Sequence, residues 1–278
     1  TIKVVSNGTT TKDKAVRNIS LATISVANQY YTGKAVKPAP TVKYNDITTL
    51  QNGRDYTVTY ANNVKIGTAK ITIKGIGNYT GTVTKTFKIT KLPKVSGAKL
   101  GGRAADALRV NWTRNASADG YIVEMYKNGK WVRAAKITNK NTTTFRKAGL
   151  KASTVYKFRV RAYKMIGSVA AYSDYTATIT ARTNPSIMKG VKIAGKARDA
   201  LRVNWAKNTS AQGYIVEMYK GGKWVRVAKI TNNSTTTYRK AGLAKNTTYK
   251  FRVRAYHMSG KTALYGNYGS VSGRTLVR

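Results

Sequence analysis

Along much of this chain apolar and polar residues alternate one by one, in short runs cut by turn-forming pairs. The stretch YKFRVRAY occurs at 156–163 and again at 249–256. A period of two puts Tyr156, Phe158, Val160 and Ala162 on one face and Lys157, Arg159, Arg161 and Tyr163 on the other. The pattern predicts a half-buried strand: a helix would scatter these residues around its axis, and the aromatic and β-branched letters suit a pleated surface. ALRVNW, YIVEMY, KWVRAAKI and TTTFRKAGL read the same way. Asn128-Gly129, with Gly221-Gly222 at the matching place downstream, marks tight hairpins between such runs. No segment has a convincing helical period, so an all-β chain is expected.

Self-similarity sets the organisation. ADALRVNW (105–112) returns as RDALRVNW (198–205), and GYIVEMYKNGKWVRAAKIT (120–138) as GYIVEMYKGGKWVRVAKIT (213–231). A repeat of about ninety residues is a whole domain, not one rung of a solenoid, so each copy should fold alone. About seven short strands at this spacing predict an antiparallel β-sandwich. Each copy also resembles a fibronectin type III domain, over about 95–184 and 187–278. The features that carry the resemblance are Trp112 and Trp205 late in the second strand, the Y-x-V of the third (Tyr121, Val123; Tyr214, Val216), Leu150 and Leu243 before the sixth, and the Y-x-F-R-V-x-A strand itself. It implies a seven-stranded sandwich in which the third strand neighbours the sixth, and it ties function only loosely to fold.

A different unit precedes the repeats. TVTY, AKITIKG and TVTKTFKI alternate there, with Asn62-Asn63 and Gly75-Ile76-Gly77-Asn78 as turns. Through DYTVTYANN and GNYTGT, residues 21–91 resemble the immunoglobulin-like β-sandwich modules of clostridial surface and secreted proteins, which implies a Gram-positive host. Residues 1–20 are expected to be a linker, or to add TIKVV to this sandwich as an N-terminal strand. Pro93 and Pro185 stiffen the joints. The fold expected is thus three consecutive antiparallel β-sandwiches, one immunoglobulin-like and two fibronectin type III-like, in an extended array.

Charge changes the picture most. The 278 residues include 51 Lys or Arg but only nine Asp or Glu, for a net charge of +42 spread over folding sequence. Such a surface repels itself and attracts anionic polymers: teichoic acid, acidic or sulfated glycans, nucleic acid or anionic membranes. There is no cysteine, which excludes disulfides and thiol chemistry. No apolar run is long enough to span a membrane, and residues 1–20 are too polar for a signal peptide, so an export signal is expected outside this stretch.

Catalytic constellations are quickly exhausted. His257 is the only histidine and aligns with Lys164, at a position expected to be an exposed loop after the sixth strand. The acids form neither a calcium loop nor a glycosidase dyad, and the Gly75 to Asn78 stretch lacks the lysine and helix of a phosphate-binding loop. No enzyme activity, metal site or cofactor is expected. Asn111 and Asn204 point outward, which disfavours Lys–Asn isopeptide bonds. Trp131 and Trp224 are read as semi-buried sheet residues, Trp112 and Trp205 as core.

In YIVEMY, Ile122, Glu124 and Tyr126 face outward, and Glu124 should meet Arg159 or Arg161 across the sheet. The outward row Lys157, Arg159 and Arg161, with Lys127, Tyr126 and Arg133, forms a candidate polyanion-binding face. Lys250, Arg252, Arg254, Lys220, Tyr219 and Arg226 repeat it. Cations about 6.8 Å apart along a strand suit repeated anionic groups, and interleaved tyrosines suit sugars or bases. The function expected is a non-enzymatic extracellular or cell-surface segment, a stiff spacer with an adhesive basic face. The alternatives are an accessory region of a larger polysaccharide or cell-wall hydrolase, and a subunit that self-associates into a fibre.

Overall fold

A computed structural model describes residues 16–278, in which every regular element except a three-residue 3-10 turn is a strand. Three apolar cores lie along the chain, their buried residues running from Ile19 to Ile89, Leu92 to Ala181 and Met188 to Ala255, and Tyr30 of the first unit also packs against the second core.

Each repeat is a two-layer sandwich. In the first, Lys99–Arg103, Leu108–Asn111 and Thr144–Lys147 form a three-stranded antiparallel sheet. The facing sheet runs Lys130–Ile137, Gly120–Lys127, Val155–Ile166, Val169–Tyr172, with Ile179–Arg182 also paired to the long central strand. The second repeat has the same topology around Thr248–Ser259. Alternation in YKFRVRAY buries Phe158, Val160 and Ala162, and Phe251, Val253 and Ala255, but Tyr163 and its counterpart Tyr256, at the end of the outward row, are buried as well. Trp112 packs edge-on to Tyr121 at 5.3 Å, and Trp205 to Tyr214 at 5.4 Å. The Tyr121 hydroxyl accepts the Asn115 N–H at 2.9 Å and donates to the Lys140 carbonyl at 3.0 Å, so a buried ring ties two loops. Asn128 and Gly129 both have positive φ, 50° and 78°, as the hairpin requires.

Eight strands form where about seven were expected, because the last strand of each sandwich is broken. In the first repeat the gap lies between Tyr172 and Ile179. There the Ser173 and Thr176 hydroxyls replace carbonyls, accepting the Ala162 N–H at 2.9 Å and the Val160 N–H at 3.0 Å. The central strand stays satisfied while the chain beside it leaves ladder geometry. That strand is also longer than YKFRVRAY. Contrary to the loop expectation, His257 therefore lies inside Thr248–Ser259, half-buried, its Nδ1 2.8 Å from the Met258 carbonyl oxygen.

The first unit departs from a purely antiparallel sandwich. Gln29–Tyr30 pairs in parallel with Thr82–Thr90, and Arg17–Asn18 with Tyr79–Thr80. Both are two-residue strands that meet partners far along the chain, and the long connection allows the parallel sense. Ile19 is fully buried, so residues 17–20 belong to this unit. TIKVV lies outside the described residues. Asp55 is buried, accepts the Gln51 N–H at 2.8 Å and is chelated by Arg54, whose hydrogen bonds hold its carboxyl below the usual range.

The joints carry a few polar contacts each. Lys91 Nζ lies 3.0 Å from Asp174, and Asn115 donates to the Pro93 carbonyl at 2.6 Å. At the second joint Ser153 donates to the Ser210 carbonyl and the Ser186 N–H to Ser210 Oγ, at 2.5 and 2.9 Å. Because Phe158 is buried in the core of the first repeat, Phe158→Ala should cost about 3–5 kcal/mol and lower one unfolding transition only. Calorimetry checks this, and a single transition shifted as a whole would contradict it.

Candidate binding face: a ladder of cations and aromatic rings

The outer face of the five-stranded sheet is built by three neighbouring strands. Glu124 stands directly opposite Arg159 on one side and Arg133 on the other, and Tyr126 opposite Trp131. Arg159 donates through Nε and Nη2 to Glu124 Oε2 at 2.9 and 2.7 Å, as the alternation implied. In the second copy Arg252 Nε meets Glu217 Oε2 at 2.7 Å.

Aromatic rings take up the remaining charge. The Arg159 guanidinium lies between Trp131, at 4.3 Å, and Tyr175, at 3.8 Å. Arg161 lies between Tyr172, at 4.0 Å, and Tyr175, at 4.7 Å. Lys157 Nζ sits 5.7 Å over Tyr126, whose ring meets Trp131 edge-on at 5.3 Å. The second copy repeats the stack: Arg252 between Trp224 and Tyr268, Arg254 between Tyr265 and Tyr268, Lys250 over Tyr219. The Nε atoms of Arg161 and Arg254 are buried without a hydrogen-bond acceptor, facing π electrons in place of oxygen.

The expected set is therefore divided by the structure. Arg159, Arg161, Arg252 and Arg254 are drawn into the stack. Lys157, Lys250, Arg133 and Arg226 share its face and are exposed. Tyr126 and Tyr219 are 40% and 41% exposed. Lys127 and Lys220, at the hairpin ends, follow the methionine face of the pleat and not the row, because each stands one residue past its tyrosine. Tyr172, Tyr175, Tyr265 and Tyr268 were missed. Their signal is the pair AAYSDY (170–175) and ALYGNY (263–268), which repeats the tyrosine spacing in stretches without clean alternation.

Burial pushes the Glu124 carboxyl up, but hydrogen bonds from Tyr175 and Arg159 and the charges of Arg159 and Arg161 bring it below the ordinary value. Tyr175 donates to Glu124 Oε1 at 2.5 Å. Burial and that hydrogen bond push its phenol up to about 12. Burial, then its bonds to Glu217, raise Tyr268 likewise. Among the described residues no group of three or more His, Cys, Asp or Glu is placed to hold a metal ion. Asn111 and Asn204 accept hydrogen bonds from Thr144 and Thr237, at 2.8 and 2.6 Å.

Two sheets face to face, repeated in tandem and strapped by a cation and ring ladder, define a class of β-sandwich modules. The chain belongs to the fibronectin type III family, which it matches over residues 93–179 and 183–265. Exoglucanase B of Cellulomonas fimi is 28% identical over 192 residues, covering 66% of this chain and 16% of that protein. Chitinase A1 of Niallia circulans is 27% identical over 190 residues, covering 66% and 26%. The chain thus spans about a quarter or less of these relatives. A two-domain fibronectin type III segment of chicken tenascin aligns with a TM-score of 0.43 at 20% identity, over 66% of this chain and 100% of that one.

The ladder makes two testable statements. Glu124→Gln should destabilise the first repeat by about 1.5–3 kcal/mol at neutral pH, since hydrogen bonds to a charged acceptor are lost. Because folding lowers the Glu124 pKa, its contribution is complete above the ordinary value of 4.5 and fades as pH falls through the folded one. Acid denaturation of the parent and variant should converge at low pH; a constant difference would contradict the assignment. Tyr175 acts in the opposite sense: its stabilisation holds below the ordinary value of 10 and is lost as pH rises toward about 12. Alkaline absorbance titration of Tyr175→Phe should lack one late-titrating phenol, and an unchanged late step would contradict this.

Proposed function

We propose that this chain is a non-catalytic, extracellular segment of a larger secreted or surface protein, spacing its neighbours and holding them to an anionic polymer. One observation carries the reading. Among the described residues, eight ion pairs engage seven acids. With 51 Lys or Arg against nine Asp or Glu, a net charge of +42 is left without a counter-ion of its own even when every carboxylate is paired. A folded polycation of this kind binds polyanions by displacing their condensed counter-ions, with steep salt dependence and little sequence specificity. Repetition over two like domains adds avidity along a polymer. The first unit is the companion module that its resemblance to clostridial surface modules implies, in a Gram-positive host.

A second reading is favoured by the names of the two bacterial relatives. An exoglucanase and a chitinase each match through a small share of their length, which fits an accessory region beside a catalytic domain. Self-association is the weakest reading, because Lys130, Arg133 and Lys136 stand exposed on an edge strand, where cations oppose edge pairing.

Binding of the purified chain to teichoic acid, double-stranded DNA, a sulfated glycan and a neutral polysaccharide across a salt series tests the proposal. The expected result is tight binding to polyanions that weakens about a thousandfold or more between 50 and 200 mM salt, with none to the neutral polymer. Salt-resistant retention on insoluble glucan or chitin would favour the accessory reading, and binding to none would overturn both.

A further inference from the structure

We infer that the three-stranded sheet of each fibronectin type III repeat carries an oxyanion-binding groove for the phosphodiester groups of a polyol phosphate polymer. It is built on Arg109 and Arg146 in the first copy and on Arg202 and Arg239 in the second. This deepens the proposed reading and rests on it, but places the contact on the sheet opposite the cation and ring ladder.

Register puts Gly102, Arg109 and Arg146 side by side across three strands, and Gly195, Arg202 and Arg239 likewise. Like charges directly opposite one another destabilise a sheet, and here the arrangement occurs in both copies. Nothing in the fold relieves it as the ladder is relieved. Among the described residues no aromatic ring lies over these four guanidinium groups, whereas the ladder arginines all have one. Arg146 and Arg239 side chains are 51% and 53% exposed, against 26% for Arg159 and Arg252. The nearby acids are loose partners: Asp106 lies 3.9 Å from Arg146 and Asp199 4.0 Å from Arg239, both well exposed. With Arg103 or Lys196, three cations line each groove.

Small residues keep the floor open. A groove of about 240 Å³ runs over Gly102, Ala104 and Ala107, and one of about 140 Å³ over Gly195, Ala197 and Ala200. Neither Gly102 nor Gly195 has a positive φ, so the backbone does not demand glycine, which weakens a strand. A Cβ at Gly102 would meet only Arg109 Cβ at 3.9 Å, and one at Gly195 would meet Arg202 Cβ at 3.4 Å, ordinary contacts that leave glycine's place here a matter of an uncovered floor beside the arginine stem.

Two guanidinium forks over a small-residue floor match a tetrahedral oxyanion, which accepts from both. The groove offers no ring on which a base would stack, so its chemistry selects the backbone anion and favours a base-free phosphodiester over single-stranded nucleic acid. Copies on two domains give one long polymer two places to bind.

The experiment uses the full chain and immobilised poly(glycerol phosphate), with charge-matched DNA and a sulfated glycan as competitors, across a salt series. Arg109→Gln with Arg146→Gln, and Arg202→Gln with Arg239→Gln, should each weaken binding about tenfold. All four together should reduce the salt slope by about three. Changing the four to Lys should keep the slope yet lose about threefold or more in affinity, because the fork and not only the charge is used. Lys43, Lys70, Lys85 and Lys88, exposed cations of the first unit, changed together to Gln remove the same charge and should cost clearly less affinity than the four-Gln variant. If that control lost as much as the four-Gln variant, the groove assignment would fall while polyanion binding stood. If DNA displaced the polymer at lower concentration than free poly(glycerol phosphate), the ligand class would fall. If the parent bound no polyanion at low salt, this inference and the proposed function would fall together.

Discussion

Fifty-one lysines and arginines share nine carboxylates in this chain, so folding requires placing cations where no counter-charge is left to meet them. The five-stranded sheet of each repeat meets that constraint with π faces. One glutamate fixes one arginine; tryptophan and tyrosine rings hold that arginine and the next in alternation. Stacking of this kind is worth roughly 0.5–2 kcal/mol per contact when partly desolvated, and burial of the arginine stems against ring edges adds apolar cover to the sheet. The broken last strand follows from the same need. Where Ser173 and Thr176 take over the central strand's N–H groups, the backbone leaves the ladder and Tyr175 sits between two guanidinium groups with its hydroxyl on Glu124.

This divides the labour between the two sheets. The face that reads as the most cationic stripe in the sequence is the one whose arginines are already engaged, while the plainer three-stranded face leaves arginine pairs open beside small residues. Both faces recur in both copies, so any property of one domain acts at least twice along the chain.

What was legible in the sequence was whatever the pleat and short-range chemistry decide. Trp112 in the core, the Asn128-Gly129 hairpin, the inward row of YKFRVRAY and the Glu124 to Arg159 pair follow from alternation plus one strand adjacency. What was not legible depends on distant strands meeting. The Arg109 to Arg146 juxtaposition needs a register between strands separated by half a domain, and the parallel pairing of Gln29–Tyr30 joins residues at opposite ends of the first unit. Tyr175 lay in the gap between two strands, where the Ser173 and Thr176 hydroxyls accept N–H groups of the central strand, an arrangement with no periodic signature. His257 fell inside a strand because the central strand continues past its charged stripe into a hairpin with Thr262–Tyr265.

The central claim is that aromatic faces hold those ladder arginines that the single glutamate leaves without a partner. A double-mutant cycle on the Arg161 and Tyr172 contact tests it most directly, combining Arg161→Met and Tyr172→Leu and measuring the stability of the first repeat at 0.1 and 1 M salt. The account predicts a coupling of about 0.5–2 kcal/mol that persists at high salt, because a desolvated stack is weakly screened. Coupling indistinguishable from zero, or coupling that disappears at 1 M salt, would mean that Arg161 is an ordinary solvated charge lying over a ring.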